Sequence, residues 1–234
     1  MKASCDLLIG RSADKDDEKG EVGFAVNQIG KFRGIGYTFT HSMILAFNKP
    51  YGVLSQFTRQ APAHRTLAEF GFPKQVYPLG RLDWDSEGLL LLSDEKKWND
   101  FLLNPRHAHE RTYQVQVEGT AGEEAAAKLQ KGVMIQGRRT KPCRAKLIAE
   151  PDYPPRNPPI RFRLSVPTSW IELKLTEGKN RQVRRMTAAV GFPTLRLIRK
   201  AIGNFELEDL PAGKWRELTA RQRELLKNQN DKKI

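Results

Sequence analysis

Pro78-Leu79-Gly80-Arg81-Leu82-Asp83-Trp84-Asp85-Ser86-Glu87-Gly88 runs directly into Leu89-Leu90-Leu91-Leu92. The four leucines form an apolar stretch too short for a membrane span and right for a buried central strand. The preceding eleven residues hold three carboxylates, an arginine and two glycines. A polar loop fixed at the end of a buried strand is where reactive groups tend to be held. On spacing alone three readings stay open: a solvated turn, a nucleophile loop, or ligands for a magnesium ion.

Outward from this loop the pattern alternates between strand and helix. Met43 to Phe47 reads as a strand followed by a turn through Gly52, and Thr66 to Phe70 as a short helix ended by Gly71. Ser93, with Asp94 and Glu95 after it, fits a helix start whose inner face is Trp98, Phe101 and Leu102. Tyr113, Val115 and Val117 alternate with Thr112, Gln114 and Gln116, as in a half-buried strand. Thr120 to Glu123 has capping-box spacing for a helix closed at Gly132. The proline-rich stretch Asp152 to Pro159 predicts an extended loop between strands Arg161–Val166 and Trp170–Leu175. Asn180 is the expected cap of a helix running to Val190, and Thr219 of a last helix before a polar tail. The fold class is α+β.

The 234 residues carry 40 Lys and Arg against 27 Asp and Glu, a formal net charge of +13. Residues 1–42 are neutral, so the excess lies in residues 43–234. A polyphosphate partner would bind such a surface with strong salt dependence. From Lys179 to Lys200 there are seven basic residues and no acidic one, and Arg181, Arg184 and Arg185 are spaced to share a helix face. Two cysteines, Cys5 and Cys143, are too few and too far apart for a disulfide framework or a metal site. With no apolar run long enough for a membrane and no signal-peptide pattern, a cytoplasmic protein is expected. The glycine-broken head, residues 1–42, is expected to be poorly ordered, with Met43 the candidate natural start.

Gly80-Arg81-Leu82-Asp83 with Asp85, Ser86, Gly88 and the leucine run, Glu177-Gly178-Lys179-Asn180-Arg181-Gln182-Val183-Arg184-Arg185-Met186, and Leu195-Arg196-Leu197-Ile198-Arg199 together resemble the ribosomal RNA branch of the pseudouridine synthase family. The likeness covers about residues 43–218. Arg156 to Arg161 and Pro167 to Trp170 look like members acting on the large-subunit (23S) RNA. The resemblance implies a mixed, mainly antiparallel sheet flanked by helices, in two lobes around a cleft. It implies a catalytic domain over residues 43–220 and a C-terminal helix and tail over 221–234. The chain departs from many relatives in one respect: the 42 neutral residues before Met43 are too few and too lightly charged for their small N-terminal RNA-binding (S4) module. The resemblance also implies isomerisation of a uridine, extruded from the RNA, without metal or small-molecule cofactor. Asp83 would be the nucleophile, attacking ribose or base. Arg184 would pair with that carboxylate, Tyr113 stack on the uracil, Leu197 pack beneath it, and Arg81 fill the gap the base leaves. Lys179, Arg181, Arg185, Arg199 and Lys200 would hold RNA, with Arg138, Arg139, Lys141, Arg144 and Lys146 as further candidates. Asp85 and Glu87 are read as structural. The expected partner is 23S RNA or a pre-ribosomal particle, bound by a monomer. Another structured RNA, a non-catalytic assembly factor and a metal-dependent nuclease are the competing readings.

Overall fold

The computed structural model of the chain describes residues 42–160 and 165–227. The expectations for residues 1–41, for most of strand Arg161–Val166 and for the polar tail after Lys227 fall outside the described residues. In chain order the strands are β1 (Ile44–Lys49), β2 (Val53–Leu54), β3 (Arg65–Thr66), β4 (Tyr77–Pro78), β5 (Glu87–Ser93), β6 (Arg111–Glu118), β7 (Met134–Ile135), β8 (Arg138–Arg139), β9 (Arg144–Ile148), β10 (Thr168–Leu175), β11 (Thr194–Ile202), β12 (Phe205–Glu206) and β13 (Trp215–Glu217). The helices are α1 (Lys97–Leu103), α2 (Glu123–Gln130), α3 (Gln182–Ala189) and α4 (Ala220–Lys227).

One large sheet runs β13-β1-β5-β11-β6-β10-β9, with β4 added to β5 and β12 to β11. Its pairs are antiparallel except β5 with β11, which run parallel through Ile198↔Glu87 and Arg199↔Gly88. The sheet is mixed and mainly antiparallel, as expected.

The leucine run is explained by its position. Leu89 and Leu91 face Ile44, Ala46, Trp98, Leu102 and Leu226, while Leu90 and Leu92 face Leu45, Phe47, Val53 and Leu67 on the other side. A strand covered on both faces needs apolar residues at every position. Each of these leucines is fully out of water, worth about 1.5–3 kcal/mol. At the other half of the sheet, Val115 and Val117 join Ile171, Leu173, Ala125, Leu129, Val183 and Met186 in a separate core. The alternate side chains of β6 are polar and half-buried: Gln114 donates to Glu172 and Gln116 to Thr168.

The halves meet at the two-pair parallel seam, and Gly88 is the reason they can. A Cβ on Gly88 would lie 2.4 Å from the Arg199 carbonyl oxygen, and its φ of +99° suits only glycine. The cleft lies across this seam.

Several helix starts differ from expectation. Ser93 is the last residue of β5, and its hydroxyl donates to the Met43 carbonyl at 2.7 Å while accepting the Glu95 N–H. The helix begins at Lys97 instead. Gly122, not Thr120, precedes α2, where Glu123 and Glu124 suit the positive helix end. Arg181, in the left-handed region at φ 50°, precedes α3; Asn180 accepts instead from Arg185 at 3.0 Å. Thr219 does cap α4, in a reciprocal pair with Gln222. Thr66 and Glu69 likewise box a single 3-10 turn that Gly71 closes.

Candidate active site

A glycine and a buried serine set the loop ahead of β5. Gly80 has φ +80°, and the Leu82 N–H and carbonyl are both held by the buried Ser55 hydroxyl, at 3.0 and 2.8 Å. That double bond fixes the backbone beside Asp83. A cavity of about 720 Å³ opens there, within the range of ligand sites. Its walls come from both halves of the sheet: Arg81, Leu82, Asp83 and Trp84 on one side, Lys179, Asn180, Arg181 and Gln182 on the other, with Tyr113, Leu197 and Arg199 also lining it.

The three carboxylates of the loop take separate directions. Asp85 receives a fork from Arg181, Nη1 to Oδ1 at 2.9 Å and Nη2 to Oδ2 at 2.7 Å. Arg184 approaches the same carboxylate at 3.3 Å and donates to the Asp85 carbonyl. Burial raises the Asp85 pKa, but the Arg181 hydrogen bonds and the charges of Arg184 and Arg181 outweigh it and hold it below the usual range. Glu87 receives a second fork, from Arg196, at 2.9 and 2.8 Å. Asp83 alone borders the cavity, with Arg181 Nη1 at 3.9 Å. Among the described residues no grouping of three or more His, Cys, Asp or Glu is placed to share an ion.

Of the expected site residues, Arg81, Asp83, Tyr113, Lys179, Arg181, Leu197 and Arg199 line the cavity, whereas Arg184, Arg185 and Lys200 do not. Three expectations are corrected. Arg184 pairs with Asp85 and not with Asp83, because it stands behind the loop with its side chain 13% exposed. Arg181, Arg184 and Arg185 present no common outer face, since Arg181 lies before the helix and Arg185 turns to Asn180 and Gln136. Arg199 is not an outer-surface cation: it is 4% exposed, donates Nε to the Leu89 carbonyl at 2.7 Å and sits opposite Tyr113 in the β-ladder. The acidic partners of the basic run from Lys179 come from remote sequence, Asp85 in the loop ahead of β5 and Glu87 at its first position.

Lys49 belongs to none of the motifs in the sequence. It ends β1 fully buried, donating to the carbonyls of Pro50 at 2.9 Å and Val53 at 2.7 Å. Burial pushes its pKa from 10.5 down to about 7, partly opposed by Glu87, Asp85 and Asp83. Its one signal in the sequence is a lysine two residues beyond the apolar run Met43–Phe47, at an inward-alternating position of the same strand.

The family model described as RNA pseudouridylate synthase matches residues 43–189, and the chain belongs to that family of RNA-modifying isomerases. Among similar curated proteins is a ribosomal large subunit pseudouridine synthase E of Xanthomonas campestris pv. campestris, 52% identical over 76% of this chain and 97% of its own length. One of the same description from Vibrio vulnificus is 46% identical over 75% of each chain. A solved structure titled as a pseudouridylate synthase superposes with a TM-score of 0.64 at 30% identity, covering 79% of this chain and 74% of its own.

Proposed function

We propose that this chain converts a uridine of large-subunit (23S) ribosomal RNA to pseudouridine, with Asp83 as nucleophile. The observation that carries the assignment is the sorting of the loop carboxylates: Asp85 and Glu87 are each held in an arginine fork, and Asp83 borders the cavity with Tyr113 and Leu197. The names of the large-subunit relatives support the substrate.

The reaction breaks the bond between N1 and the ribose, turns the uracil and closes a bond from C5 to the ribose; the C5 proton leaves and N1 gains one. Nothing is oxidised or reduced. A covalent bond from Asp83 to the substrate divides the exchange into easier steps. Tyr113 stacks on the uracil and takes the C5 proton, and Leu197 packs on the opposite side. Extruding a base costs a few kcal/mol, least where pairing is weak. Arg81, exposed on the rim, fills the gap that the base leaves. Arg181 and Arg184 act through Asp85 to shape the loop, while Lys179, Arg185 and Lys200 hold phosphates. Arg199 serves from beneath the cavity. The protein works as a cytoplasmic monomer, on free RNA or a pre-ribosomal particle, without metal or organic cofactor.

The test is tritium release from uracil-5-tritiated RNA by the purified protein after chelator treatment. Release from 23S RNA and none from small-subunit RNA is the expected result. No release from either would overturn the proposal.

A further inference from the structure

The rim of the cleft carries an aromatic cluster, with the Tyr51 and Trp84 rings tilted 55° to one another, that the proposed chemistry does not use. Trp84, the residue after Asp83, is 46% exposed and lines the cavity, whereas Trp98 and Trp170 are 7% and 5% exposed. Isolated exposed aromatics are ordinary, but this one is neither isolated nor loose. Its carbonyl accepts the Gly52 N–H at 2.9 Å, and its indole packs on the Tyr51 ring at 5.1 Å between centroids. Beyond Tyr51 stands Arg156, its guanidinium 4.0 Å from the ring centre. Arg156 is itself held by the carbonyls of Pro158 at 2.9 Å and Pro159 at 3.0 Å. The loop bearing it is tied to the sheet, since Arg196, which grips Glu87, also donates to the Pro154 carbonyl at 3.1 Å. Cation, phenol and indole thus form a backed series that ends in an exposed ring at the cavity edge.

We propose that the exposed part of the Trp84 ring is a stacking platform for the base of an unpaired nucleotide flanking the target uridine, with Tyr51 and Arg156 as its backing. Three observations select this occupant. Trp84 adjoins Asp83, so a base on the indole belongs to a close neighbour of the extruded uridine. Arg81 and Lys179 line the same cavity and complement a phosphate backbone. The indole is already fixed from behind, so a docking base freezes little further motion. Aromatic stacking of this kind tolerates any base. The platform therefore adds affinity at an unpaired flanking position and does not read sequence there. It also gives a role to the Arg156 segment, which the catalytic chemistry leaves without one. The inference rests on the RNA substrate proposed above.

The test compares Trp84→Phe, Trp84→Ala and Trp84→Leu in the full chain for affinity toward transcribed 23S RNA. Trp84→Phe keeps a stacking ring and should bind within about threefold of the parent, while Trp84→Ala and Trp84→Leu should bind at least about tenfold more weakly, the size of one stacked base. The slope of log Kd against log salt should be equal in all four proteins, because no charge is removed. RNA should quench the tryptophan fluorescence of the parent and of Asp83→Ala, and quench Trp84→Phe less. Equal affinity in all variants, equal loss in all three, a changed salt slope, or undiminished quenching in Trp84→Phe would overturn the inference. Failure of the substrate assignment would appear separately, as absent tritium release by the parent protein.

Discussion

Arg181 grips both carboxylate oxygens of Asp85, at 2.9 and 2.7 Å, and stands 3.9 Å from Asp83 two residues upstream. The nearest arginine is thus committed to the loop's scaffold, and the cavity-lining aspartate keeps its oxygens for a substrate. Arg184 completes the clamp from behind, binding the Asp85 carbonyl. The chain therefore uses one carboxylate to position another.

Loosening the clamp should displace Asp83 without removing a phosphate contact. Arg184→Ala is expected to lower the single-turnover rate about 100-fold, the cost of a misplacement near 1 Å, with RNA affinity within a few-fold. Asp85→Asn should lose rate similarly, and the double variant should lose much less than the product of the two. Equal losses of rate and affinity in Arg184→Ala would make it a phosphate contact.

The fork between Arg196 and Glu87 is a matter of stability. Both side chains are nearly buried, at 10% and 12% exposure, so removing one leaves an uncompensated charge. Arg196→Met should cost about 3–5 kcal/mol. Thermal denaturation of Arg196→Met, Glu87→Gln and the pair together should show the double variant less damaged than the sum of the singles.

Gly88→Ala should destabilise by about 3 kcal/mol, lowering Tm by roughly 6–12 °C. Its methyl would press on the Arg199 backbone at the seam between the halves. Unchanged Tm would mean that the seam is not tight.

Lys49 makes stability depend on pH. Its folded pKa of about 7 lies below the unfolded value of 10.5, so between those values the unfolded chain binds the extra proton and stability rises with pH. The gain is complete above the unfolded pKa and is lost as pH falls toward 7, in total on the order of 5 kcal/mol. Urea midpoints at pH 7 and 9.5 should rise less in Lys49→Met than in the parent.

The features legible in the sequence are those set by local periodicity or by motif. The leucine run declared a strand covered on both faces, and Tyr113, Val115 and Val117 declared a strand with one apolar face. The Asp83 loop stands out by its density of charge, and the order of the motifs carries the family. What stayed hidden depends on partners remote in sequence. Ser93 looked like a cap until Met43 claimed its hydroxyl, and Arg184 and Arg196 looked unbalanced until Asp85 and Glu87 met them across 99 and 109 residues. Arg199 counted as surface charge because periodicity does not reveal that β11 is a buried central strand pairing parallel with β5.

The central claim is that Asp83 is the nucleophile, and the most direct measurement is tritium release from uracil-5-tritiated 23S RNA by Asp83→Ala beside Asp85→Ala. Asp83→Ala should release nothing above background while binding RNA within a few-fold of the parent, and Asp85→Ala should retain a slow but measurable release. Release by Asp83→Ala at or above the rate of Asp85→Ala would contradict the assignment.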